Sequence, residues 1–168
     1  MSLPKVQDRL QPALLDRLRD DDPTNTKETA DSRVLSRNRL REAVLRDLSW
    51  LFNTAQLDSS ESLAAYPQVR ASVLNFGLPV ISGQTISTID PVVLEGQVRQ
   101  AIIDHEPRIL PKTLRVEAIT SDERVSQHNQ ISFRIFGQLW AQPVPLELML
   151  HTDIDLETGR VDVRELSR

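Results

Sequence analysis

The order of hydrophobic periods along this 168-residue chain predicts an α+β fold. Three observations carry that expectation. Apolar residues recur at helical spacing in the N-terminal half, the period changes to two from Leu114 onward, and hairpin-length links join the later segments. Together they predict a mainly antiparallel sheet formed by the C-terminal half, covered on one face by helices of the N-terminal half, with an N-terminal helical arm.

The arm comes first. Val6, Leu10, Leu14 and Leu18 stand at helical spacing, and Pro12 interrupts them, so a short helix is expected to begin near Pro12. DDDPTNTKETADS, residues 20–32, has no apolar periodicity and many turn-forming residues, and reads as a mobile acidic linker. Residues 1–32 are therefore expected to form an arm and linker, and residues 33–168 a single α+β domain. Residues 33–55 hold the clearest helix, with Leu40, Val44, Leu48, Leu51 and Ala55 in one stripe that Trp50 and Phe52 widen. Pro67 suits a helix start, Val69, Val73 and Phe76 make a short stripe, and Gly77 with Pro79 stops it. After the turn ISGQT, Asp90 can cap a helix whose first residue is Pro91 and whose stripe is Leu94, Val98 and Ile102. Pro107 biases Glu106 away from helical angles and so ends that helix.

Strands follow. Leu114, Val116 and Ala118 alternate with polar neighbours, as do Ile131, Phe133, Ile135 and Leu139, and then Leu146 through Leu156. LETGR turns the last of these back into VDVREL.

Composition narrows the function. A net charge of -4 argues against a nucleic-acid binder, and with no cysteine there are neither disulfides nor thiolate metal sites. No segment reaches the roughly 18 apolar residues of a membrane span, and MSLPKVQDRL lacks a signal-peptide core, so cytoplasmic residence is expected.

Several stretches invite a chemical reading. DHEPRILP, residues 104–111, sets Glu106 and Arg108 on either side of Pro107. As a glycosidase acid, Glu106 would need a second carboxylate some ~5–10 Å away and a raised pKa, whereas a neighbouring arginine lowers it. The pair is otherwise an internal ion pair at a helix end, or a contact for another protein. Proline fixes both side chains in advance, which lowers the ordering cost of binding, and Arg108 can hold a carboxylate bidentately. The chemistry favours contact over catalysis, and the chain is not expected to be an enzyme.

Phe136 and Trp140 share the polar face of their strand, either covered by the same chain or free to anchor a partner. An unpaired sheet edge beside them could accept an added strand, but which strand lies at the edge is not legible. Arg33, Arg37 and Arg41 form a stripe that suits local acidic partners, an acidic protein surface or nucleic acid. His151, Asp153 and Asp155 lie on one strand face at ligand-like residue types, yet residues two apart on a strand are too spread for one ion. Glu157-Thr158-Gly159 resembles the aspartic-protease triplet with the wrong acid, and reads as a turn.

RDLSWLFNT (residues 46–54), SVLNFGLP (72–79) and HEPRI (105–109), in that order and spacing, resemble the signature segments of the TssE family. These are type VI secretion baseplate subunits related to the sheath-initiating wedge protein of contractile phage tails. PALLDRL, residues 12–18, resembles their N-terminal segment, and the likeness spans residues 10–165. The resemblance implies a small α+β domain in a bacterial baseplate wedge with TssF, TssG and TssK, docked at the cytoplasmic side of the membrane. It also implies a seat for the first ring of the TssB/TssC sheath, and no cofactor. The family's Glu-Pro-Arg motif, implied to contact the helices of the wedge core, falls on Glu106, Pro107 and Arg108. The older lysozyme-like label of this family brings no glycosidase mechanism with it.

Overall fold

A computed structural model describes residues 13–18, 37–83, 88–119, 129–141 and 144–166. The linker expected over 20–32, together with Pro12 and Arg33, lies outside the described residues.

The helices come first and the sheet after them. α1 spans Leu14–Leu18, α2 Arg37–Phe52, α3 Pro67–Arg70 and α4 Pro91–His105. The strands β1 (Arg115–Ile119), β2 (Gln130–Leu139), β3 (Leu146–Asp155) and β4 (Val161–Glu165) form one sheet in the order β1-β2-β3-β4. Every pairing is antiparallel, so this is the expected α+β meander. α2 and α4 cover one sheet face, because their apolar stripes meet its inward-pointing positions. Leu40, Val44, Leu48 and Leu51 of α2, and Leu94, Val98 and Ile102 of α4, pack against Phe133, Ile135, Leu139, Leu148, Leu150 and Ile154. Each such leucine or isoleucine contributes about 2 kcal/mol by leaving water.

Local signals set the boundaries. The Asp90 carboxylate accepts from the Val92 N–H at 2.9 Å, and Pro91 takes the first helical turn, where its missing donor has no consequence. α4 ends at Glu106, whose φ of -122° and ψ of 78° are the extended angles a following proline requires. At the end of α2, Asn53 and Thr54 side chains donate to the Ser49 and Trp50 carbonyls, which have no partner further along the helix.

Three expectations differ in detail. α2 stops at Phe52, and Ala55 is exposed in an isolated parallel bridge with Leu78. Trp50 stands 48% exposed instead of joining the stripe, because it lies under the Arg46 guanidinium at 5.1 Å. Only four residues of the Pro67 segment are α-helical, and Val73 falls in a separate 3-10 turn, exposed.

SVLNFGLP is an organising loop. Buried Asn75 accepts from the Asp58 N–H and donates to the Arg70 carbonyl. Gly77, at φ 133°, brings its backbone so near that an added Cβ would lie 2.3 Å from the Thr54 oxygen. Only glycine fits there, and its place lets Leu78 exchange backbone hydrogen bonds with Thr54 and Gln56.

Candidate partner-binding site

The C-terminal half of α2 and the turn after α4 meet at one end of the domain. Glu106, the residue that closes α4, is only 3% exposed. Arg108 Nε donates to Glu106 Oε1 at 2.7 Å and Arg108 Nη2 reaches Glu106 Oε2, a bidentate pair two residues apart. The Arg108 backbone N–H also donates to Oε1, at 3.1 Å. Such a tight loop forms because Pro107 fixes the chain between the two side chains. The Glu106 carboxylate therefore holds three donors from its own chain, and turns no free oxygen toward a sugar.

The pair is the start of a ladder. Arg108 Nη2 also donates to Asp47 Oδ2 at 2.5 Å, and Arg46 Nε donates to Asp47 Oδ1 at 2.9 Å. Arg46 Nη1 in turn donates to Asp16 of α1. Five charges alternate in sign along Glu106, Arg108, Asp47, Arg46 and Asp16. Burial pulls the Arg108 guanidinium down, but hydrogen bonds and attraction from Glu106, then Asp47, outweigh it and hold its pKa above the ordinary value. The Arg46 hydrogen bond holds the Asp16 carboxyl below the usual range against the opposite pull of burial.

Of the site residues expected from sequence, four come together. Pro107 is exposed at the rim of the ladder. The Trp140 backbone N–H donates to the Arg108 carbonyl at 2.7 Å, and Leu110 N–H donates to the Gln138 carbonyl at 2.8 Å. The 108–110 segment is thus hydrogen-bonded along the end of β2, and Trp140, 52% exposed, stands beside it. Phe136 stays apart. It lies half-buried on the uncovered sheet face, paired across the strands with Arg115 and Met149.

Asp16, Arg46 and Asp47 were missed from sequence as members of the site. Two of them lie inside RDLSWLFNT, so the signal was present: separate signature stretches tend to converge in space. His151 Nε2 lies 2.9 Å from Asp153 Oδ1, and Asp153 also accepts from Ser132 at 2.6 Å and pairs with Arg164. This cluster is a cross-strand tie on the open face. Arg41 reaches the sheet, donating to the Glu147 carbonyl at 3.1 Å and lying 3.7 Å from Glu165. Thr158 and Gly159 sit in the β3–β4 turn, where Asp155 Oδ1 accepts the Glu157 and Thr158 N–H groups.

The two sheet edges differ. On β1, the Ala118 N–H donates to Glu95 Oε1 at 2.6 Å and Arg99 Nε lies 3.5 Å from the Leu114 carbonyl, so α4 side chains cover the edge. On β4, ladder geometry turns Asp162 and Arg164 toward β3 and Val161, Val163 and Glu165 outward. Asn53 occupies both backbone groups of Val161, at 3.0 and 2.8 Å. Among the described residues, nothing pairs with the outward backbone groups of Val163 and Glu165.

A small two-layer domain with one strand edge open, and a charge ladder whose members hold one another, is built as a component of an assembly. Its relatives give that class a particular form. The chain belongs to the family of the baseplate wedge protein gp25, whose family model matches residues 38–144. The matched region runs from the start of α2 past Trp140 and includes Glu106, Pro107 and Arg108. No curated protein and no solved structure matches. The chain is thus a structural protein of a phage-tail-like baseplate, and no helix among its described residues is long and apolar enough to cross a membrane.

Proposed function

We propose that this chain is the TssE-type subunit of a type VI secretion baseplate, and that it seeds the contractile sheath by strand pairing. The outer edge of β4 is the observation that carries this reading. A sheath subunit that adds a strand there gains backbone hydrogen bonds at Val163 and Glu165, which are already extended and aligned. The end of the domain bearing Glu106, Pro107, Arg108 and Trp140 faces the wedge partners TssF, TssG and TssK, while β4 faces TssB/TssC. Phe136 flanks the strand-adding side on the open sheet face. The assembly stands at the cytoplasmic face of the membrane, and sheath growth begins only where a baseplate provides the edge.

Two substitutions test the two ends separately. Glu106→Arg with Arg108→Glu keeps an ion pair between the two positions but sets a carboxylate against Asp47, and loss of co-purification with TssF and TssG is expected. Wild-type recovery of the wedge with that variant removes the motif from the interface. Val163→Pro deletes an outward donor without touching the β4–β3 ladder. It should fold normally, join the wedge and fail to start sheath polymerisation; normal sheaths from it would refute strand addition at this edge.

A further inference from the structure

α1 lies on the charge ladder and fills its place incompletely. One Asp16 oxygen pairs with Arg46, while the other is buried with no hydrogen-bonding partner among the described residues. Arg108 Nη1 is buried and unpartnered in the same way. Beside them is a cavity of about 440 Å³, lined by Ala13 and Leu15 of the arm with Trp50, Phe76, Pro107 and Arg108. Leu15, the arm's apolar contact there, is still 50% exposed, and Leu14 and Leu18 are more exposed again.

The hold of the arm on this place is therefore slight. A helix of five residues is too short to persist by itself, so its contacts must keep it folded. Those contacts are one ion pair near the surface, which salt screens, and one half-covered leucine. A better occupant is easy to specify from what α1 leaves undone. It is a longer helix whose carboxylate engages both Arg46 and Arg108, and whose leucine or similar side chain enters the cavity. The positive groups call for an acid, and the apolar lining calls for the leucine.

We propose that α1 is a displaceable occupant of a seat for an acidic, leucine-bearing helix of a partner protein, the arm keeping the seat closed until that partner arrives. On the function proposed above, the partner is a wedge neighbour, and the seat adjoins the Glu106–Arg108 motif. Displacement of the arm then comes before docking, and the tethered arm raises the concentration of partner needed.

The experiment uses the full chain and a labelled peptide of residues 9–20. In the Asp16→Arg variant, repulsion from Arg46 drives the arm off its seat. The peptide should bind this variant at least tenfold more tightly than the wild-type chain, and Arg46→Glu added to the variant should abolish the gain. Equal binding to both chains, or no binding to the variant, overturns the proposal. The wedge assignment is read separately, by binding of TssF and TssG to the same proteins. Tighter binding to Asp16→Arg supports displacement, and weaker binding shows the arm to be part of the interface and overturns it. Peptide capture by the variant, with no affinity of any form for TssF and TssG, would leave the seat standing and refute its assignment to the wedge.

Discussion

Glu106 illustrates how one residue can look like catalytic machinery in sequence and act as a fastener in space. Its carboxylate is buried, and the three donors that satisfy it all come from Arg108. Removing the arginine leaves a buried charge without a counterion. Arg108→Ala is expected to lower stability by about 3 kcal/mol, at the lower end for broken buried pairs because the arginine is itself partly open. Urea unfolding measures this, and Glu106→Gln in the same background should recover part of the loss. Gly77 makes a second residue-scale case. Gly77→Ala sets a methyl against the Thr54 carbonyl in a backbone region that side chains avoid, with an expected loss of about 2–4 kcal/mol in the same assay. Asp16 supplies the pH dependence. Its folded pKa is depressed below the ordinary 3.8, so the contact is complete above that value and is lost as pH falls through the folded pKa. Amide shifts of Leu14–Leu18 should therefore move in acid before those of β2 do.

Among the elements, the strands were legible and the short helical pieces were not. Alternation in Leu146 through Leu156 is readable because one face meets α2 and α4 and the other meets nothing. The same asymmetry fixed α4, where Asp90, Pro91 and Pro107 mark both ends. Between them, residues 55–80 carry a mixed pattern, since their path follows single hydrogen bonds such as those of Asn75 and not a buried face. Trp50 was placed in the core by its spacing, and Arg46 draws it to the surface instead. The charge ladder escaped notice for a related reason. Asp47 and Arg108 are 61 positions apart, and no local period reports a contact of that span. Asn53 is the element-scale test. It ties the end of α2 to β4 through both backbone groups of Val161, so Asn53→Ala should loosen β4 and lower stability by about 1–2 kcal/mol. Faster hydrogen exchange in Val161–Glu165 than in β2 and β3 is the expected signature.

For the whole molecule, the helix-covered sheet places its two exposed functions far apart. The ladder and the arm stand at the α2–α4 end, whereas the open strand lies across the sheet at β4. That separation is what a joining piece between two neighbours requires, and it agrees with membership of a baseplate wedge family. The architecture itself was legible because helix period, strand period and turn chemistry all pointed to one topology. Which edge stayed open was not, since that depends on Glu95 and Arg99 reaching across from α4 to β1.

The bridge between Ile109 and Leu139 makes the turn behind α4 an extra rung on the same backbone lattice as β2, β3 and β4. A tug at the outer strand thus travels from amide to carbonyl, strand by strand, and arrives at Pro107 without any side chain having to relay it. Stiff rails of this kind let a small protein register strain at one boundary while gripping the other.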